Sequence, residues 1–224
     1  MYLGLDGCRS GWLVATIDGE KRLSHSLIPS LNELPRVPVQ LALIDIPLEC
    51  ADHIYRPCEI SARAILGPKK SASVFLTPHR SAVYANDYAE ANRLNKLHLG
   101  KGLSIQTWNI CNKIKEAINF VAVHPSYPLF EAHPELCFHF LNQGQPLLSK
   151  KASPEGAADR LKIIAAHDKD YPNVIAETMR ITKRKDLKLD DILDATILAI
   201  RASAEDLRAT PAHKRVGDRA AILY

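Results

Sequence analysis

Two apolar runs that each end in aspartate constrain this chain most: YLGLD at residues 2–6 and LALID at 41–45. The first is followed, across Gly7–Gly11, by WLVATI at 12–17, and then by a stretch at about 22–28 beyond the pair Asp18-Gly19. Short apolar runs separated by glycine-containing turns read as strands, and Asp-Gly between two of them is a hairpin signal. Residues 2–28 are therefore expected to form an antiparallel meander. The run LALIDIP at 41–47 is continuous rather than alternating, which suits a strand buried on both faces by parallel pairing.

Residues 48–125 carry no strong strand signal. Helices are expected over 59–66, 85–97 and 105–121, punctuated by Gly67-Pro68, Pro78 and Gly100/Gly102. This stretch reads as a long, mainly helical insertion. YPLFEA at 127–132 is the next expected strand, closed by His133-Pro134, with a helix from Pro134 to near Gly144. A further helix is expected over 154–168, with Pro154 in its first turn. The last strong helix is DDILDATILAIRASAEDL at 190–207, apolar almost all round in its middle, which implies burial. The tail DRAAILY reads as a short final strand. The expected class is α/β, one domain over 1–224 with its insertion at about 48–125.

With 224 residues, 46% hydrophobic and 24% charged, the chain can bury a sizeable core. A net charge of +4 permits a polyanionic partner without demanding one. Five cysteines, an odd number with no C-x-x-C, argue against a disulfide framework or zinc site and suit a reducing cytoplasm. No basic-then-apolar leader and no apolar run of about 18 residues is present, so no membrane span is expected.

Acidic residues recur where strands end. Asp6 and Asp45 close the two runs above, Glu131 closes the strand at 127–132, and Asp191 and Asp194 lie three apart on one face of the last helix. Carboxylates beside an apolar core are costly unless they are paired or bind a cation. Several converging from distant parts of a chain suit magnesium or manganese, hard ions that prefer oxygen ligands. Two such ions can clamp the attacking and leaving oxygens of a phosphodiester. Each acid also has an ordinary account. Asp6 is equally a turn former, Asp45 a bend before Pro47, Glu131 a local hydrogen-bonder, and Asp190 or Asp191 a helix cap. Asp194 lies a turn inside an apolar helix, where capping does not explain it.

The chain resembles the DUF429 family, described as predicted nucleases with a ribonuclease H-like fold. The matching segments include GLDGCRSGW at 4–12, LIDIP at 43–47, RPCEISARAILG at 56–67, SVFLTPHR at 73–80, FEAHPEL at 130–136, KKASPEGAADR at 150–160 and DDILDA at 190–195. The resemblance implies a mixed five-stranded sheet, three antiparallel strands and then parallel ones, flanked by helices. It implies metal-binding acids on the first strand, the fourth strand and the last helix, which are Asp6, Asp45, Asp191 and Asp194 here. Glu131 lies in the family's E-x-H-P-E segment and is implied as an accessory ligand or base. The D-x-x-D-A of the last helix is similar to that of Holliday-junction resolvases, although those usually carry Glu where this chain has Asp45.

The basic residues Arg56, Arg63, Lys69, Lys70 and Arg80 cluster in the insertion, Arg9 sits in the first hairpin, and Lys150, Lys151 and Arg160 come later; the candidates for phosphate are Arg9, Arg63, Arg80, Lys150 and Arg160, with Arg63 and Arg80 foremost. For any one of them a solvated charged face is the commoner fate. His133 is a candidate acid or base, though a lone His before Pro is more often structural. Ser104 and Gln106 could start a helix facing an anion, and Cys8 is read as packing. The leading function is a metal-dependent phosphodiester hydrolase acting on nucleic acid, in which Asp6, Asp45, Asp191 and Asp194 hold two magnesium or manganese ions, one to activate water and one to stabilise the leaving oxygen. The alternatives are an actin-like or sugar-kinase-type phosphotransferase or ATPase, and a nucleic-acid-binding protein without catalysis. Against a kinase, no second Asp-x-Gly loop and no late Gly-Gly motif occurs.

Overall fold

The computed structural model describes residues 1–183 and 185–224. The chain opens with β1 (Tyr2–Cys8), β2 (Gly11–Ile17) and β3 (Leu23–Ile28), each antiparallel to the one before. The β1–β2 turn is tight, because Gly11 pairs with Cys8 and takes a φ of 132° that only glycine adopts freely. The β2–β3 turn differs from the expected Asp-Gly hairpin. The Asp18 carboxylate accepts the backbone N–H groups of Glu20 and Arg22, and Lys21 takes the left-handed conformation in place of Gly19.

Next, β4 (Leu41–Ile44) adds parallel to β1. The insertion is helical as expected, with α1 (Pro57–Leu66), α2 (Arg80–Val83), α3 (Tyr88–Leu99) and α4 (Ile105–Val123). The sheet is completed by β5 (Leu129–Glu131), parallel to β4, in the order β3-β2-β1-β4-β5. This is the mixed five-stranded sheet that the resemblance implies, with β1 at its centre.

After it come α5 (Pro134–Leu141), α6 (Pro154–Ala165), α7 (Tyr171–Ile181) and α8 (Leu189–Ala202). The sequence reading did not anticipate α7; its Pro172 lies in the first turn, where proline is tolerated, but β-branched residues weaken its local helical signal. Helix α8 stops at Ala202, short of residue 207, where Arg201 turns to Asp206 and the Tyr224 carbonyl. The tail does form a strand, but outside the main sheet: β6 (Ala209–Thr210) pairs with β7 (Ile222–Leu223).

Two cores follow from the alternation of side chains along the strands. Leu3 and Leu5 of β1 face the side that holds α4, with Val14, Ala42, Ile44 and Leu129. Gly4, Asp6 and Cys8 face the other side, where α8 lies over Leu13, Ala15 and Leu43. From Ile192 to Ala202 every residue of α8 is buried, because the helix is covered by the sheet on one side and by α5, α6 and α7 on the other. That double cover accounts for its all-round apolar sequence. No helix among the described residues is long and apolar enough to cross a membrane.

Candidate metal centre

The close approach of α8 to the sheet is set by one residue. A Cβ on Gly4 would lie 2.1 Å from the Ala195 carbonyl oxygen and 2.2 Å from the Ala199 nitrogen. Glycine there lets helix backbone rest on strand backbone. Two residues on, and therefore on the same face, Asp6 meets Asp194 of α8. Asp45 follows β4 directly; its N–H donates to the Leu5 carbonyl at 3.0 Å, which continues the parallel ladder and keeps Asp45 beside Asp6.

Asp6, Asp45 and Asp194 each present a carboxylate oxygen within 4.8 Å of the other two. Asp6 and Asp194 are buried and Asp45 is half-buried. Burial, then Asp194 and Asp45, hold the Asp6 carboxyl well above the usual carboxylate range. Burial pushes Asp45 and Asp194 up to about 7, with Glu131 and Glu135 adding to Asp45 and Asp45 adding to Asp194, against the pull of Lys151. Asp6 accepts the Gly7 N–H at 2.8 Å. The Lys151 ammonium is paired with one oxygen of Asp194, while the other, Oδ1, is buried with no partner among the described residues. Burial works against the charge of Lys151, but Asp194, Asp6 and Asp45 hold it protonated to above the ordinary lysine range.

These residues fit a hard divalent cation. The donors are all oxygen, one of them is a buried carboxylate atom without a partner among the described residues, and their charges crowd at a cost that an ion would relieve.

The other expected acids lie apart from this trio. Asp191 is half-buried one turn before Asp194 and accepts the Lys188 N–H at 2.9 Å, so it closes the start of α8. Its charge still reaches Asp6 and raises it. Glu131 pairs with Ile44 in the β4–β5 register and hence faces the α4 side, opposite to Asp45. There it holds Arg56 through both oxygens, at 3.0 and 2.5 Å, and accepts the Leu48 N–H. His133 does not continue the strand. Its Nδ1 accepts the Glu135 N–H at the start of α5, which leaves Nε2 to donate to the Ser73 carbonyl. Both ring nitrogens are thus committed to backbone, and burial lowers its pKa.

The basic candidates divide similarly. Arg63 lines a cavity of about 650 Å³ that contains Asp6 and Asp45, and its Nε donates to the Val74 carbonyl. Arg9 lines a second cavity of about 370 Å³ beside Asp191. Arg80 is exposed at the start of α2 and Lys150 is exposed beside Lys151; neither lines these cavities. Arg160 is fully buried against Glu135 and the Gly156 carbonyl, a structural placement rather than a surface for phosphate. The residue that does enter the centre is Lys151, one position from the Lys150 expected. Only its place in the K-K-A-S-P run ahead of α6 hinted at it, and nothing in that run separates the two lysines.

The sheet order and the carboxylate trio define an α/β chain carrying an oxygen-donor centre between its central strand and its last helix. The chain belongs to the family described as "Protein of unknown function (DUF429)", whose model matches residues 4–215. No curated protein and no solved structure matches it.

Proposed function

We propose that this protein is a metal-dependent phosphodiester hydrolase acting on nucleic acid. The observation that carries the reading is the convergence of Asp6, Asp45 and Asp194, from the first strand, the fourth strand and the last helix, on one point with an unpartnered carboxylate oxygen. The surroundings favour a polyanion. The larger cavity is lined by Arg63, Lys101 and Lys113 and by Ser104 at the N-terminal end of α4. The smaller one is lined by Arg9, Lys185 and Lys188. Both include Gly7, next to Asp6, so a chain of phosphates laid from one to the other passes the carboxylates.

Asp6, Asp45 and Asp194 would hold magnesium or manganese. Such an ion, when bound, supplies Lewis-acid activation of water and neutralises charge on the phosphate. Asp45, the accessible member of the trio, faces the substrate cavity. In the hydrolysis, water gives its oxygen to phosphorus as the bond to the leaving sugar oxygen breaks. One water proton ends on that oxygen, yielding an alcohol and a phosphate monoester. Glu131 is occupied by Arg56 and the Leu48 N–H and stays outside the trio.

The test is cleavage of end-labelled single-stranded, duplex and branched DNA and RNA with manganese, wild type against Asp6→Asn. Cleavage by wild type and its loss in a folded variant support the reading. Absence of cleavage of every substrate by wild type, or equal cleavage by the variant, overturns it.

A further inference from the structure

We propose, on the reading that the centre holds a divalent cation, that it takes one ion and that the Lys151 ammonium supplies the positive charge of a second. Three carboxylates cluster at the centre, Asp6, Asp45 and Asp194, while Asp191 gives one oxygen to the Lys188 N–H and Glu131 gives both to Arg56. The charges agree: three carboxylates and one ammonium sum to a formal −2, which one divalent ion cancels and two would overshoot.

Lys151 is also held in place by its backbone. The Lys150 carbonyl accepts the Ser153 N–H at 2.9 Å, and Ser153 Oγ accepts the Gly156 N–H at 3.1 Å. A Cβ on Gly156 would lie 2.0 Å from the Lys150 carbonyl oxygen, so the first turn of α6 is pressed against the segment that presents the lysine. The side chain thus leaves a pinned backbone, reaches Asp194, and remains 38% exposed. A surface lysine in a solvated pair would have neither the buried partner nor the fixed stem.

The experiment counts manganese. Wild type, Lys151→Met and Lys151→Arg are dialysed against manganese, bound metal is measured per chain, and electron paramagnetic resonance reports whether bound ions are coupled. The expected result is one uncoupled ion in wild type and in Lys151→Arg. Lys151→Met should bind a second, coupled ion, or bind the first at least about tenfold more tightly, because a nearby cation no longer opposes it. Two coupled ions in wild type would overturn the proposal while leaving the metal reading standing. One ion of unchanged affinity in Lys151→Met would do the same. No ion in folded wild type would overturn both, and no ion in folded Lys151→Met beside a wild type that binds one would overturn the proposal alone.

Discussion

Gly4 and Ala195 touch backbone to backbone: a single added methyl on Gly4 would fall 2.1 Å from the Ala195 carbonyl oxygen. This contact sets the distance between β1 and α8, and Asp6 and Asp194 lie just beyond it on the two elements. Gly4→Ala is therefore expected to push α8 off the sheet. Overpacking against unyielding backbone should destabilise the fold by about 3 kcal/mol, the upper end for such changes. Denaturant melts would measure that loss. Because the carboxylates separate, manganese binding should weaken as well, even at temperatures where the variant is fully folded.

Stability and function oppose each other at Asp6. In the metal-free protein its carboxylate is crowded by Asp194 and Asp45. Asp6→Asn should leave the metal-free protein as stable as wild type or more so, by up to about 1 kcal/mol. Saturating manganese should then reverse the order. An ion at 100 times its Kd stabilises wild type by about 2.7 kcal/mol, and the variant should gain little. Thermal melts with and without manganese check both halves.

Glu131 and Arg56 form a buried pair, and breaking it from one side leaves a charge without a partner. Arg56→Met should cost about 3–5 kcal/mol. Glu131→Gln should also destabilise, yet a purified, folded sample should keep manganese affinity within a few-fold of wild type, since Glu131 faces away from the trio. A loss of binding as deep as in Asp6→Asn would make Glu131 a ligand.

Metal binding should release protons in a definite direction with pH. The folded carboxyls of Asp45 and Asp194 sit near 7 against an ordinary 3.8, so between those values the folded protein binds more protons than the unfolded chain. Their contribution to metal-free stability is thus full below about 3.8 and is lost as pH rises through 7. The same protons compete with the ion. At pH 6, manganese should displace more protons per chain than at higher pH, and affinity should rise as pH rises through about 7. Calorimetry in buffers of different ionisation heat measures the release.

Much of the fold was legible because its strands are short, apolar and bounded by glycine or aspartate, and the last helix is too apolar to lie anywhere but inside. The trio was legible because Asp194 lies inside an apolar helix where capping does not explain it, and because Asp6 and Asp45, each with an ordinary account alone, recur at the ends of apolar strands. What was not legible depended on register and side-chain direction. Glu131 ends a strand as Asp45 does, but a one-residue offset in pairing sends it to the other face of the sheet. Asp191 shares a helix face with Asp194 but is spent on capping. Lys150 and Lys151 are chemically identical neighbours, and only the turn before α6 decides which one reaches Asp194. Arg160 reads as a surface cation and is buried, because Glu135 beside it supplies a partner that local sequence does not reveal.

The most direct test of the central claim is a calorimetric manganese titration of wild type and Asp194→Asn at pH 7.5, with circular dichroism confirming that both are folded. Saturable binding to wild type and at least about a hundredfold weaker binding to the variant are expected, since a carboxylate ligand is replaced by a neutral amide. Equal binding by the two proteins, or none by folded wild type, would contradict that claim.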